Sequence, residues 1–183
     1  MSREEYYNKI EKEERPAAQR VAAWMTATLK PRSVVDFGCA TGLYIEPFDC
    51  HVLGLELDEV AVKRAKTNVI QADLTKPLEI GYYDVGMSLE VAEHIPEDRV
   101  DGFLFNIGRV VVRWLVFSAA GMNQVDPLHV NLKPKQYWID KLSKVGFDLH
   151  QQATAEMLAY IGAGYRMGWF MQNAFVALRR KGS

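Results

Sequence analysis

The chain reads as a doubly wound α/β domain, a mostly parallel sheet with helices on both faces. Two observations predict it. Short apolar runs of strand length alternate with stretches whose apolar residues recur at helical spacing. Such alternation implies parallel strands joined by right-handed crossovers. The first run also ends in an acid and a glycine-containing turn, and sheets of this kind bind ligands at the carboxyl ends of their strands.

The elements follow in order. Val21, Trp24, Met25 and Leu29 share one helical face, and Pro31 ends that helix. Strands are expected at residues 33–37, 51–56, 68–71, 82–88 and 113–117. Val100, Phe103, Leu104, Ile107 and Val111 form a helical stripe before the last of these. Pro134 opens a helix carrying Trp138, Leu142 and Val145, and Gly146 caps it. Strands at 147–150 and 171–178 complete the sheet. With no repeat or linker, residues 1–183 read as one domain, with a helical cap over 1–30 and a variable lid or substrate insertion over 151–169.

Composition narrows the function. Lys and Arg number 22 against 23 Asp and Glu, a net charge of −1, whereas dedicated nucleic-acid binders usually carry a basic excess. The apolar runs fall short of a membrane span and the first residues are polar and charged, so no membrane partner and a cytoplasmic location are expected. Cys39 and Cys50 suit neither a disulfide framework nor a zinc motif.

The chemistry begins in Asp36-Phe37-Gly38-Cys39-Ala40-Thr41-Gly42. Glycine lets backbone approach a ligand closely, and a helix starting just beyond would favour an anionic group. The spacing does not match the dinucleotide pattern G-x-G-x-x-G. It resembles the first motif of the class I S-adenosylmethionine-dependent methyltransferases, commonly D-x-G-x-G-x-G, with Ala40 replacing the middle glycine. Three further segments fall where that family has them: Glu56 at the end of the second strand, Gln71-Ala72-Asp73-Leu74 after the third, and YDVGMSLEVAEHIP over the fourth. The resemblance covers about residues 30–120. It implies a seven-stranded sheet of order 3-2-1-4-5-7-6 with the last strand antiparallel, and S-adenosylmethionine as cofactor. It also implies cofactor contacts at Asp36, Gly38, Ala40, Gly42, Glu56, Leu57, Asp73, Leu74, Leu89 and Glu90. Glu56 would accept from the ribose diol and Asp73 would contact the adenine amino group.

Methyl transfer from a sulfonium needs chiefly a nucleophile held in line, so the fold does not name the acceptor. If the segment after the fourth strand is helical, Glu90, Glu93 and His94 share one face. Together with His129 they are candidate ligands of a divalent metal. This pattern resembles the metal site of small-RNA 3′-end 2′-O-methyltransferases, and the ubiquinone-pathway O-methyltransferases have a similar segment. Non-metal relatives carry such a stretch too, where it serves loop hydrogen bonding and cofactor packing. His129, and His94 beside it, are candidate catalytic bases, with a loop anchor as the alternative for His129. Tyr6 and Tyr7 lie on the charged cap, and Met157, Tyr160, Tyr165, Met167 and Trp169 on the insertion, which could equally be a dimer contact.

Three functions compete: a methyltransferase for an oxygen or nitrogen of a small molecule, one for RNA, DNA or protein, and a non-catalytic cofactor-binding module. The first is favoured, as a monomer or homodimer. Against the second, no added recognition domain or N-P-P-Y motif is present, although nucleic acid is not excluded.

Overall fold

In a computed structural model, residues 2–164 and 167–182 are described. Seven strands form one sheet: β1 Ser33–Phe37, β2 His51–Glu56, β3 Val69–Gln71, β4 Tyr83–Leu89, β5 Val111–Ser118, β6 Phe147–Leu149 and β7 Phe175–Arg179. Their spatial order is β3-β2-β1-β4-β5-β7-β6. The first five strands pair in parallel, and β7 runs antiparallel to both β5 and β6. Order and direction are those that the family resemblance implies.

The helices are α1 Arg3–Thr28, α2 Glu59–Arg64, α3 Val100–Val110, α4 Lys135–Lys144, α5 Gln151–Gly162 and α6 Gly168–Asn173. Alternate residues of the central strands face two cores. On one side Val35, Phe37, Leu115 and Phe117 pack with Phe103 and Ile107 of α3 and Trp138 of α4. On the other, Val34, Val85, Met87 and Val116 pack with Val21 and Met25 of α1, Met157 of α5 and Phe170 of α6. Because both faces are covered, β1 and β4 are almost wholly buried, as the unbroken apolar runs require. Trp138 is core, and so is Tyr7 of the cap.

Val111, expected to end the helical stripe, instead opens β5, and the structure departs from expectation at three further places. No regular helix follows β1; residues 40–47 are successive turns. The last strand starts at Phe175 rather than residue 171, because 168–173 coil into α6 to bury Phe170 and Asn173. The residues expected to be an insertion begin as a packed helix, α5, whose Ala153, Met157 and Ile161 join the core; Tyr165 lies outside the described residues.

Candidate functional site

Parallel pairing brings the carboxyl ends of β1, β2, β4 and β5 to one edge. At the first of them the chain turns sharply. The Gly38 and Cys39 amides both donate to the Leu55 carbonyl, at 2.8 and 3.1 Å, which bends the turn toward β2. Gly38, Ala40 and Gly42 all take positive φ, at 83°, 47° and 78°. A Cβ on Gly38 would stand 2.5 Å from a methyl of Val91. This glycine therefore makes room for the loop after β4, whereas the sequence suggested room for a ligand. Ala40, in the position of the motif's middle glycine, carries a side chain in the left-handed region.

Glu56 at the end of β2 braces this turn. One carboxylate oxygen accepts from the Ala40 amide at 2.9 Å, the other from the Leu57 and Asp58 amides at 2.8 Å each. The oxygen that accepts from Ala40 retains a lone pair for a hydroxyl, while the other is filled by its two amides. Asp36 is buried beneath, 4% exposed, and its carboxyl is pushed up to about 8 by burial and by the Glu56 charge. After β3, Asp73 accepts from the Thr75 amide and hydroxyl, which with Lys76 hold its carboxyl below the usual range. Leu74 is buried, Leu89 half-buried, and Leu57 exposed on the loop. The cap α1 is tied to the same edge: the Tyr7 hydroxyl donates to Asp58 at 2.7 Å, Arg64 pairs with Glu11, and the Tyr44 hydroxyl donates to Glu14 at 3.1 Å.

The turn offers no helix N-terminus to receive a pyrophosphate, and the acid at the end of β2 suits a ribose diol.

The end of β4 carries the second half of the site. Glu90 adopts φ 53° and its amide donates to Ser118 of β5. The chain then forms a short 3₁₀ turn, Ala92–His94, rather than an α-helix from Glu90 onward. Glu90 is consequently turned away from the group formed by Glu93, His94 and His129. Its carboxylate accepts from the side-chain amides of Asn173 at 3.2 Å and Gln124 at 3.4 Å. The expected four-residue ligand set is corrected to three: ligand atoms of Glu93, His94 and His129 lie within 4.8 Å of one another.

Glu93 is fully buried, and neither carboxylate oxygen has a hydrogen-bond partner among the described residues. Burial, with the Glu90 charge, pushes its carboxyl up to about 8. The imidazoles of His94 and His129 meet edge to face, 4.9 Å between centroids. His94 Nδ1 lies 3.0 Å from the Leu128 carbonyl and His129 Nδ1 2.6 Å from the Gln124 carbonyl. A carbonyl only accepts, so each Nδ1 carries the proton. In the neutral rings Nε2 is then left with a free lone pair. His129 is thus both a loop anchor and an available base.

Sequence reasoning missed Gln124 and Asn173. Gln124 holds His129 through its carbonyl and Glu90 through its side chain, and Asn173 joins both carboxamide and carboxylate. Their contacts span 34 and 83 residues to Glu90, so no local motif announces them.

Residues 35–113 match the family model described as a methyltransferase domain. Over those residues the chain is similar to that family. The match begins within β1 and ends early in β5, so it takes in the turn, Glu56, Asp73 and the Glu90–His94 segment. Solved structures share the fold. The magnesium protoporphyrin IX methyltransferase of Synechocystis, with bound S-adenosylhomocysteine, is 20% identical, with TM-score 0.68 over 90% of this chain and 83% of that one. A sugar N-methyltransferase from a Streptoalloteichus species is 14% identical, with TM-score 0.71 over 98% and 94%. An amino pentose methyltransferase from Micromonospora echinaspora, with bound S-adenosylmethionine, is 15% identical, with TM-score 0.68 over 96% and 95%. No curated protein matches the sequence. Among the described residues no helix is long and apolar enough to cross a membrane.

Proposed function

We propose that this chain transfers the methyl group of S-adenosylmethionine to an oxygen or nitrogen of a small molecule in the cytoplasm. The observation that carries this reading is the pairing, at one sheet edge, of a carboxyl-rich nucleoside turn with an imidazole pair beside a buried carboxyl. Gly38, Ala40 and Gly42 shape the bed for the cofactor, Glu56 would take its ribose diol, and Asp73 and Leu74 would flank its adenine. Bound there, the cofactor supplies an activated methyl group. His129 would receive the proton leaving an acceptor hydroxyl or ammonium, its Nδ1–H held by the Gln124 carbonyl so that Nε2 stays open. The small-molecule class of acceptor is favoured because the sugar and porphyrin enzymes with this fold act on such compounds and cover nearly the same length. As a test, labelled S-adenosylmethionine is incubated with the protein and a lysate separated into metabolite, RNA and protein fractions. Label in the metabolite fraction supports the reading, and label confined to a macromolecular fraction overturns it. Failure of S-adenosylhomocysteine to raise the melting temperature at millimolar concentration overturns the cofactor assignment itself.

A second reading is favoured by one observation, the unpartnered oxygens of buried Glu93. With Nε2 of His94 and His129 they make a donor set of one carboxylate and two imidazoles that suits a first-row divalent ion. The backbone carbonyls on both Nδ1 atoms supply the outer hydrogen bonds that orient such ligands. The ion would lower the pKa of an acceptor hydroxyl. Calorimetric titration with manganese or cobalt alone should give one site in the wild type and none in Glu93→Gln. Activity on an identified acceptor that survives a chelator unchanged rules this reading out and leaves His129 as the lone base.

A further inference from the structure

The opposite edge of the sheet holds a second cavity that methyl transfer does not use. Because β7 runs antiparallel to β5, the start of β5 meets the end of β7 at the amino edge of the parallel strands. A cavity of about 580 Å³ opens there, walled by Tyr82, Val112 and Leu178 and by the cations Arg109, Arg113 and Lys181. Arg179 and Arg180 add to the wall, and among the described residues no acidic one lines it. The chain as a whole is slightly acidic, so this is a local concentration of positive charge.

The charges differ in how they are engaged. Arg180 pairs with Asp148 at 2.8 Å, while Arg179 donates to the Gly108 and Val111 carbonyls and lies over the Phe147 ring. Arg109, Arg113 and Lys181 make no ion pair among the described residues. The acid whose charge acts on the same neighbourhood, Asp84, is already bound by the Arg32 amide and guanidinium at 3.0 Å. Three cations sharing one concavity without a counterion repel one another, and a multivalent anion relieves this. Beside them the cavity shows apolar surface. Tyr82 is 75% exposed and Val112 47% exposed, both large for side chains with so little polar surface.

We infer that this cavity binds a nucleoside phosphate. The guanidiniums of Arg109 and Arg113 present paired donors suited to phosphate oxygens, with Lys181 as a further point charge. The Tyr82 ring offers a face on which a base stacks, and Val112 and Leu178 floor the space. A volume of about 580 Å³ is that of a small-ligand site. The confinement of the charge to one cavity favours a single nucleotide over a tracked strand. The nucleotide reaches it free or as the phosphorylated end of an oligonucleotide, since both present the same groups.

Calorimetry on the full chain, saturated with S-adenosylhomocysteine and at low salt, tests this with four probes: ADP, adenosine, pyrophosphate and a 5′-phosphorylated oligonucleotide. ADP should bind at least tenfold tighter than either adenosine or pyrophosphate, and its affinity should fall with salt. Arg113→Ala with Lys181→Ala should weaken ADP tenfold or more. Tyr82→Ala should weaken ADP about tenfold and leave pyrophosphate unchanged. An oligonucleotide that binds better than ADP assigns the strand end as the source, and one that binds no better assigns the free nucleotide. All three residues are exposed, so unchanged melting temperatures check that the variants fold. No ADP binding at millimolar concentration, or ADP binding indifferent to the variants, overturns the inference. The outcome does not depend on whether the chain methylates anything.

Discussion

The two halves of the site are built by different means around the same feature, a buried carboxyl pushed up to about 8. Around Asp36 the structure is local. A single βα turn, three positive φ angles and one acid from the neighbouring strand hold it, and Glu56 stands only 16 residues from the amide it braces. Around Glu93 the decisive contacts are distant. Leu128, Gln124 and Asn173 reach it or its neighbours across 34 residues or more. The first half is specified by residue type at fixed spacing, the second by packing of distant loops. A fold can therefore keep its cofactor turn while its acceptor side diverges, and the fold alone names the donor without naming the acceptor.

The comparison breaks most severely at Gly38. Its positive φ strains any side chain, and a Cβ collides with Val91 at 2.5 Å. Gly38→Val should cost about 3 kcal/mol or more and abolish S-adenosylhomocysteine binding, read from urea midpoints and calorimetry. Because the collision is with the loop after β4, Val91→Ala should recover part of the stability lost in Gly38→Ala. Recovery would show that the local half leans on the distant half at this one residue; strictly additive losses would show that the halves are independent.

This asymmetry also sets what could be read from the sequence. The strands and the turn after β1 were legible because apolar runs and glycine spacing report backbone geometry directly, and the strand order followed from the family resemblance that these motifs carry. The same reasoning took Glu90, Glu93 and His94 for one helical face. It failed because Glu90 takes a positive φ and the next turn is 3₁₀, both imposed by Ser118, Gln124 and Asn173 from afar. The late start of the strand expected at 171–178 has the same origin: Phe170 is drawn into the core beside α1, and no local signal in Met171-Gln172-Asn173 opposes a helix there.

The two raised carboxyls sharpen the contrast through pH. Unfolded, their pKa values lie near 3.9 and 4.3, and folded, both are pushed up to about 8. The folded state binds the protons more tightly, so their stabilisation is fully present below about pH 4 and lost as pH rises through about 8. Over about pH 5–8 stability should fall by an amount on the order of 1–3 kcal/mol for each group. Asp36→Asn and Glu93→Gln should each flatten the slope of urea midpoint against pH. Manganese, if it binds the imidazole pair, should remove the Glu93 share alone. A slope unchanged in both variants would mean that other groups set the pH dependence.

Glu56→Ala is smaller in its effect on stability and larger on ligand. It removes acceptors for the Ala40, Leu57 and Asp58 amides together with the proposed diol contact. S-adenosylhomocysteine affinity should fall about 10- to 100-fold, the range for hydrogen bonds to a charged group. Glu56→Gln keeps one acceptor oxygen and should fall between. A ligand lacking the ribose hydroxyls should bind both variants and the wild type alike, which separates the diol contact from bracing of the turn.

The smallest expected effect tests whether the motif's departure at Ala40 matters. At φ 47° an alanine costs about 1–2 kcal/mol in contact between its Cβ and the backbone, and glycine pays no such cost. Against this, glycine loses about 0.4–1 kcal/mol through the greater freedom of the unfolded chain. Ala40→Gly should therefore raise stability by about 0–1.6 kcal/mol, visible as a shift in urea midpoint without a change in slope. The amide that donates to Glu56 survives the change, so S-adenosylhomocysteine affinity should stay within about threefold, less than 1 kcal/mol. Ala40→Val, branched at Cβ in the same left-handed backbone, should move stability the other way by 1 kcal/mol or more. If instead Ala40→Gly leaves stability unchanged and loosens the ligand tenfold, the methyl of Ala40 is a contact surface for the cofactor, and the local half of the site uses a side chain where its motif relies on bare backbone.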